Sequence, residues 1–190
     1  MESSKIIPGI KVKMLTKMLF SGFGGQGVLS IGLNVAHAAM VEGKHVTYLP
    51  SYGAEVRGGT ANCTIAISNE EIASPVASAP DFVVAMNQPS VKRFQNQIQS
   101  GGSLFLNSSL IEMEVTRGDI NIIKVPANEI AEKLGNAKSA NMVMLGAFVK
   151  KSNVVSISSI VKGLNEVLKG KQKLIAINEK ALMEGYNLQQ

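Results

Sequence analysis

Apolar positions along the chain fall into two rhythms. Short apolar runs at residues 18–20, 45–49, 81–86, 103–106 and 121–125 have the length of buried strands. Residues 60–68 alternate strictly, with Ala61, Cys63, Ile65 and Ile67 on one face and Asn62, Thr64, Ala66 and Ser68 on the other, and predict a half-buried strand. A helical rhythm separates these runs. Val28, Ile31, Val35 and Ala39 predict a helix over residues 25–41, and Ile157, Ile160, Val161, Leu164, Val167 and Leu168 predict an amphipathic one ended by Gly170. Shorter helices are expected after Asn87-Gln88-Pro89-Ser90, ending near residue 99, and over 126–134, and a further one over 171–186. Ser139 is placed to cap a helix whose residues 142–149 are apolar on every side, which predicts burial all round, in the middle of a sandwich or at a subunit interface. Strands interleaved with helices predict an α/β, three-layer, Rossmann-like fold with a mostly parallel or mixed sheet and helices on both faces. Residues 1–17 read as an N-terminal extension and 18–190 as a single domain; residues 70–80 and 108–118 read as loops, the second with no assignable task.

The first predicted strand breaks into Gly22-Phe23-Gly24-Gly25-Gln26-Gly27 and then turns apolar again at Val28. Strand, glycine loop, helix is the arrangement that presents bare backbone and free helix N–H groups to an anion, most often a phosphate. The six residues satisfy G-x-G-x-x-G, the dinucleotide fingerprint. The second strand, however, runs into Thr47-Tyr48-Leu49-Pro50, with no Asp or Glu to hold a ribose hydroxyl, which argues against plain NAD binding. Alternatively, the glycines serve only helix–sheet packing.

A second cluster follows the predicted second strand, at Ser51, Tyr52, Glu55, Arg57 and Gly58. The carboxyl edge of an open α/β sheet is where such folds take ligands, and Arg57 could hold a phosphate bidentately. Asn62 beside this loop, and Asn87 and Ser90 at a later strand-to-helix junction, are expected on the same edge. Cys63 falls on the apolar face of its strand and reads as an inert buried thiol; His37 and His45 have no metal-ligand spacing around them.

Composition narrows the classes. Hydrophobic residues make up 45% and charged residues 17% of the 190, little charge for a protein whose whole surface meets water, so part of that surface is expected to face a partner. The net charge of +5 is concentrated: residues 1–17 carry four lysines against one glutamate, leaving fifteen basic against thirteen acidic side chains in the rest. With nine aromatic residues and no basic stripe, nucleic-acid binding is not expected. No run has the length of a membrane span and residues 1–17 lack the core of a signal peptide, so a cytoplasmic protein is expected. A single cysteine excludes an internal disulfide and a cysteine-held cluster.

GFGGQG at 22–27, SYGAEVRGGTANC at 51–63, Ser74-Pro75, PDFVVAMNQPS at 80–90, SANMVMLGA at 139–147 and NEKALMEG at 178–185 together resemble the gamma subunit of the 2-oxoacid:ferredoxin oxidoreductases. The resemblance covers about residues 18–186 and implies oxidative decarboxylation of a 2-oxoacid, with coenzyme A accepting the acyl group and ferredoxin the electrons. It implies that alpha and beta subunits hold thiamine diphosphate and a ferredoxin-like delta subunit holds iron–sulfur clusters, while this chain supplies an interface and helps receive coenzyme A. Consistent with that division, the chain has no thiamine motif, Gly118-Asp119 being followed by Ile120. GGTANC after Arg57 is more similar to the 2-oxoglutarate branch than to the pyruvate branch, and the 2-oxoisovalerate branch stays open. On this resemblance Gly22, Gly24, Gly25, Gln26, Gly27, Ser51, Tyr52, Glu55, Arg57, Gly58, Asn62, Asn87 and Ser90 are the candidate coenzyme A contacts, and no residue is assigned to catalysis or to a metal.

Overall fold

The computed structural model describes residues 15–53, 58–74 and 78–189. Six strands, β1 (Leu15–Phe23), β2 (His45–Tyr52), β3 (Thr60–Ser68), β4 (Phe82–Ala85), β5 (Ser103–Asn107) and β6 (Asn121–Val125), form one sheet in the order β2-β3-β1-β4-β5-β6. β1, β4, β5 and β6 run parallel, and β3 is antiparallel to both β1 and β2. The sheet is therefore mixed. The unit β1-helix-β2 is not closed by direct pairing, because β3 lies between its two strands.

Side-chain alternation sorts the core into two layers. Met18 and Phe20 of β1 face one side with Cys63, Ile65, Val84 and Phe105; Leu19, Val83, Ala85, Leu104 and Leu106 face the other. The first face carries α1 (Val28–Val41), α3 (Ala127–Lys133), α4 (Ala140–Ser152), α5 (Ile157–Val167) and α6 (Gln172–Tyr186). The second carries α2 (Gln88–Phe94), and the segment after β5 completes its cover: Ile111 is buried there, with Met113 and Val115 packed against it. Residues 108–118, without a task in the sequence, thus act as a lid on that half of the sheet. Arg117 fixes the end of this lid by donating to the carbonyls of Gln95 and Ile98 and pairing with Asp119.

Residues 142–149 of α4 are buried to the last side chain, as their all-round apolarity requires. Phe148 meets Phe20, Phe82 and Phe105 edge-on or nearly so, with ring centroids 5.2, 5.8 and 5.3 Å away. Two glycines set the helix behind it. A Cβ on Gly146 would stand 1.9 Å from the Leu182 carbonyl oxygen, and one on Gly185 1.9 Å from that of Val143, so α4 and α6 cross backbone to backbone. The expected cap at Ser139 is not formed, because its hydroxyl instead donates to the Asn136 carbonyl and closes the preceding 3-10 turn.

The topology brings to one sheet edge the loop after β1, the end of β2, the start of β3 and the junction after β4.

Candidate functional site

β1 runs as far as Phe23, so Gly22 is a strand residue and not a loop one. A Cβ there would stand 2.8 Å from both the Gln26 Oε1 and a Val28 methyl, which makes Gly22 a packing position under the turn. Gly24 continues the pairing toward β3, its N–H donating to the Gly59 carbonyl at 2.8 Å. The backbone turns at Gly25 (φ 101°) and Gly27 (φ 75°), and these two, not all four glycines, need the left-handed region. Gly27 is the N-cap of α1, so the helix begins three residues later than its apolar rhythm predicts.

No side chain caps α1. Its first intrahelical bond runs from the Ile31 N–H to the Gly27 carbonyl, leaving the N–H groups of Val28, Leu29 and Ser30 without helical acceptors. These three residues line a cavity of about 410 Å³, together with Gly24, Gly25 and Gly27 on one side and Phe23, Tyr52 and Ala61 on the other. Tyr52 is 71% exposed, an aromatic ring standing at the mouth. Sequence reasoning missed Val28, Leu29 and Ser30, although the signal was present: the residues after the last loop glycine are the helix's first turn.

The other predicted contacts separate from this cavity. The Gln26 side chain folds back under its own loop: Oε1 accepts from the Phe23 N–H (2.7 Å) and from Asn87 Nδ2 (3.0 Å), and Nε2 donates to the Met86 carbonyl (3.2 Å). Asn87 Oδ1 caps α2 through the Ser90 N–H (2.9 Å) and accepts from the Ser90 hydroxyl (2.7 Å), which lies 2.9 Å from that of Ser21. Asn87, Ser90 and Ser21 are buried. The four side chains form one brace that ties the glycine turn to the end of β4. Ser51 and Asn62 are register partners, with Ser21 opposite Asn62 on the next strand, and all three lie on the sheet face away from α1, whereas Tyr52 and Ala61 face the cavity. Pro50, Ser51 and Tyr52, expected in a loop, extend β2. Gly58 has φ 77° and donates to the Gly24 carbonyl at 3.4 Å. Glu55 and Arg57 lie outside the described residues.

Cys63 lies against the wall behind the cavity, fully buried, with its sulfur where a Cβ on Gly32 would fall 2.3 Å away. Burial pushes the thiol up to about 12, so it stays protonated at neutral pH. Burial, followed by the nearby Cys63, likewise raises the Tyr48 phenol to about 12; its hydroxyl lies 3.3 Å from the Leu29 carbonyl. His37 faces Glu166 of α5, Nε2 to Oε2 at 3.6 Å, and serves helix packing.

The family described as "Pyruvate ferredoxin/flavodoxin oxidoreductase" matches residues 17–188. The chain belongs to this family. Among its relatives, the ketoisovalerate oxidoreductase subunit VorA of Methanothermobacter thermautotrophicus is 39% identical over 94% of this chain and 36% of its own length. The 2-oxoglutarate synthase subunit KorC of Methanocaldococcus jannaschii is 33% identical over 94% of this chain and 96% of its own. The chain thus spans about a third of the length of the ketoisovalerate oxidoreductase subunits and nearly the whole of the 2-oxoglutarate synthase subunit.

Solved structures share the architecture. The gamma subunit of a keto/oxoacid ferredoxin oxidoreductase from Geobacter sulfurreducens matches with a TM-score of 0.76 and 28% identity, over 90% of this chain and 96% of that one. A 2-oxoglutarate:ferredoxin oxidoreductase from Magnetococcus marinus, with 2-oxoglutarate, coenzyme A and succinyl-CoA bound, matches with a TM-score of 0.83 and 24% identity, over 91% of this chain and 30% of that one; this likeness is one of fold. Among the described residues no helix is long and apolar enough to cross a membrane.

Proposed function

We propose that the chain is the gamma subunit of a 2-oxoacid:ferredoxin oxidoreductase and that the cavity before α1 receives the diphosphate of coenzyme A. The observation that carries the coenzyme A reading is the uncapped first turn of α1, whose three residues with N–H groups free of helical acceptors, at the positive end of a fourteen-residue helix, line a cavity large enough for a ligand. Gly24, Gly25 and Gly27 let the diphosphate approach the backbone, and Tyr52 gives a flat apolar group a surface at the mouth. Gln26, Asn87 and Ser90 position the loop and do not touch the ligand. When bound, coenzyme A supplies the thiol that accepts the acyl group. Thiamine diphosphate and the iron–sulfur clusters belong to alpha, beta and delta partners, and ferredoxin takes the electrons.

For the 2-oxoacid, 2-oxoglutarate is favoured by the GGTANC sequence at 58–63 and by the end-to-end match with a 2-oxoglutarate synthase subunit. A specific observation favours 2-oxoisovalerate as the second reading, namely 39% identity to a ketoisovalerate oxidoreductase subunit. The test is co-expression with the subunits encoded beside it, followed by viologen reduction with each acid. The isolated chain is expected to turn over neither, and the assembled complex to use 2-oxoglutarate with the higher kcat/KM. Turnover by the chain alone would refute the subunit role, and preference for 2-oxoisovalerate would move the chain to that branch.

A further inference from the structure

α1 keeps one side at the surface and yet carries no charge. Neither α1 nor β2 contains an Asp, Glu, Lys or Arg, whereas every other α-helix among the described residues has at least one. A helix with one side in water normally places such residues there. Here that side is apolar. Leu29, Leu33 and Met40 fall on one stripe of α1, and Leu33 is 53% and Met40 64% exposed. The stripe lies on the side of α1 nearest the free edge of the sheet, since the Tyr48 hydroxyl reaches the Leu29 carbonyl and Leu29 lines the first cavity together with Tyr52. Charged groups stand at its margins. Glu42 and Lys44 pair with each other at 2.8 Å in the turn between α1 and β2, and Glu166 faces His37 from α5. An uncharged apolar centre inside a charged rim is the composition of a protein interface.

The edge of β2 beside this stripe is a poor template for another strand. The Gly53 N–H donates to the Thr60 carbonyl at 2.9 Å, so alternation along the strand turns the N–H positions of Val46, Tyr48, Pro50 and Tyr52 away from β3, and Pro50 has no N–H to offer. A second copy pairing edge to edge would meet that gap in the middle of its ladder. Lipid headgroups call for a basic rim, whereas here Lys44 is already paired and Glu166 is acidic. A different protein, docking through side chains, fits both facts. In the ketoisovalerate oxidoreductase relatives the part matching this chain is about a third of the length, so there it is joined in one polypeptide to a longer remainder. We propose that the α1–β2 edge is the seat of the subunit that corresponds to this remainder, docked through Leu33, Met40 and Tyr52 against an uncharged apolar surface. The inference rests on the reading of the chain as one subunit of an oxidoreductase complex. Because Leu29 and Tyr52 belong both to this edge and to the first cavity, the seated subunit forms that cavity's outer wall.

The test titrates the full chain into the purified subunits encoded beside it and compares two double variants. Leu33→Glu/Met40→Glu puts carboxylates in the middle of the stripe. Val167→Glu/Ile177→Glu adds the same charge at exposed apolar positions of α5 and α6, away from this edge. The first pair is expected to weaken association roughly hundredfold, because two carboxylates would be buried unpaired, and the second to leave it at the wild-type value. Melting temperatures of the isolated chains should stay within a few degrees of the wild type, as for other surface substitutions. The milder exchange Leu33→Met/Met40→Leu should bind like the wild type. Wild-type affinity in Leu33→Glu/Met40→Glu overturns the docking edge and leaves the subunit reading intact, and so does equal weakening by both glutamate pairs. Failure of the wild-type chain to bind any of those subunits overturns the subunit reading along with the edge. Sedimentation of the isolated chain covers the remaining occupant: a dimer that Leu33→Glu/Met40→Glu dissolves, while the complex still assembles, gives the edge to a second copy and overturns the proposal.

Discussion

Gly27 meets two demands at once. Its φ of 75° lies where a side chain costs about 1–2 kcal/mol, and a Cβ would collide with the Asn141 amide at 2.4 Å. Gly25, at φ 101°, has the same backbone demand, but nothing lies within 4 Å of its Cβ position. Gly27→Ala is therefore expected to lower unfolding free energy more than Gly25→Ala, by roughly 1–3 kcal/mol extra for the overpacked amide, in paired urea titrations. Equal losses would mean that Asn141 swings clear at no cost. Sequence alone exposed the glycines but not this division of tasks, because a fingerprint gives spacing and the contacts come from α4, over a hundred residues away. The side-chain candidates fared differently for a physical reason. Alternation put Asn62 opposite Cys63, yet it could not say which face of the sheet would hold the cavity, and that face is the one with Tyr52 and Ala61. Gln26, Asn87 and Ser90 were visible as polar residues at an edge, while their mutual hydrogen bonds required the pairing of β1 with β4.

At the scale of elements, periodicity is most informative where one residue rhythm fills a whole element. β3 and β6 occupy the residues expected, 60–68 and 121–125, and α5 and α6 differ from expectation by a residue at an end. β2 outruns its expected end because Pro50, normally a strand breaker, sits in an edge strand with a neighbour on one side only. The insertion of β3 between β1 and β2 had no sequence signal, since alternation marks a strand and leaves its neighbours open. The crossing of α4 over α6 is the sharpest element-level test. Gly146→Ala places a methyl group on the Leu182 carbonyl, where only helix displacement relieves it, and should cost about 3 kcal/mol or more in denaturant unfolding. A near-neutral result would show that the two helices separate readily. The opposite end of the helical layer is held by a charge. Burial alone would raise the Glu42 carboxyl, but hydrogen bonds from Lys44, Ser156 and Ser159 outweigh it and lower the group from 4.5 to about 2. It joins the C-terminal end of α1 to the start of α5, its Oε1 accepting from the Ser156 N–H at 2.7 Å. A depressed carboxyl stabilises the fold fully above its unfolded value and loses that contribution as pH falls from about 4.5 to 2. Urea titrations at pH 6 and pH 2.5 should therefore show a smaller loss in Glu42→Gln than in the wild type; an identical loss in both would assign the acid sensitivity to other groups.

For the whole molecule, five helices crowd one face of the sheet, and a short helix with an extended lid covers half of the other. Among the described residues no helix covers the β2–β3 half of that second face, where Leu49 is 46% exposed. The low charge legible in the composition agrees with surface of this kind. On this account the molecule is a platform that presents the uncapped N-terminus of α1 to a ligand, and the most direct measurement is made on the assembled oxidoreductase carrying Gly25→Val. The Michaelis constants for coenzyme A and for the 2-oxoacid are determined side by side, with a melting curve to confirm that the complex is folded. Loss of charge-assisted contacts to the diphosphate should raise the constant for coenzyme A roughly tenfold to hundredfold and leave that for the 2-oxoacid unchanged. A folded Gly25→Val complex with the wild-type constant for coenzyme A would contradict the account.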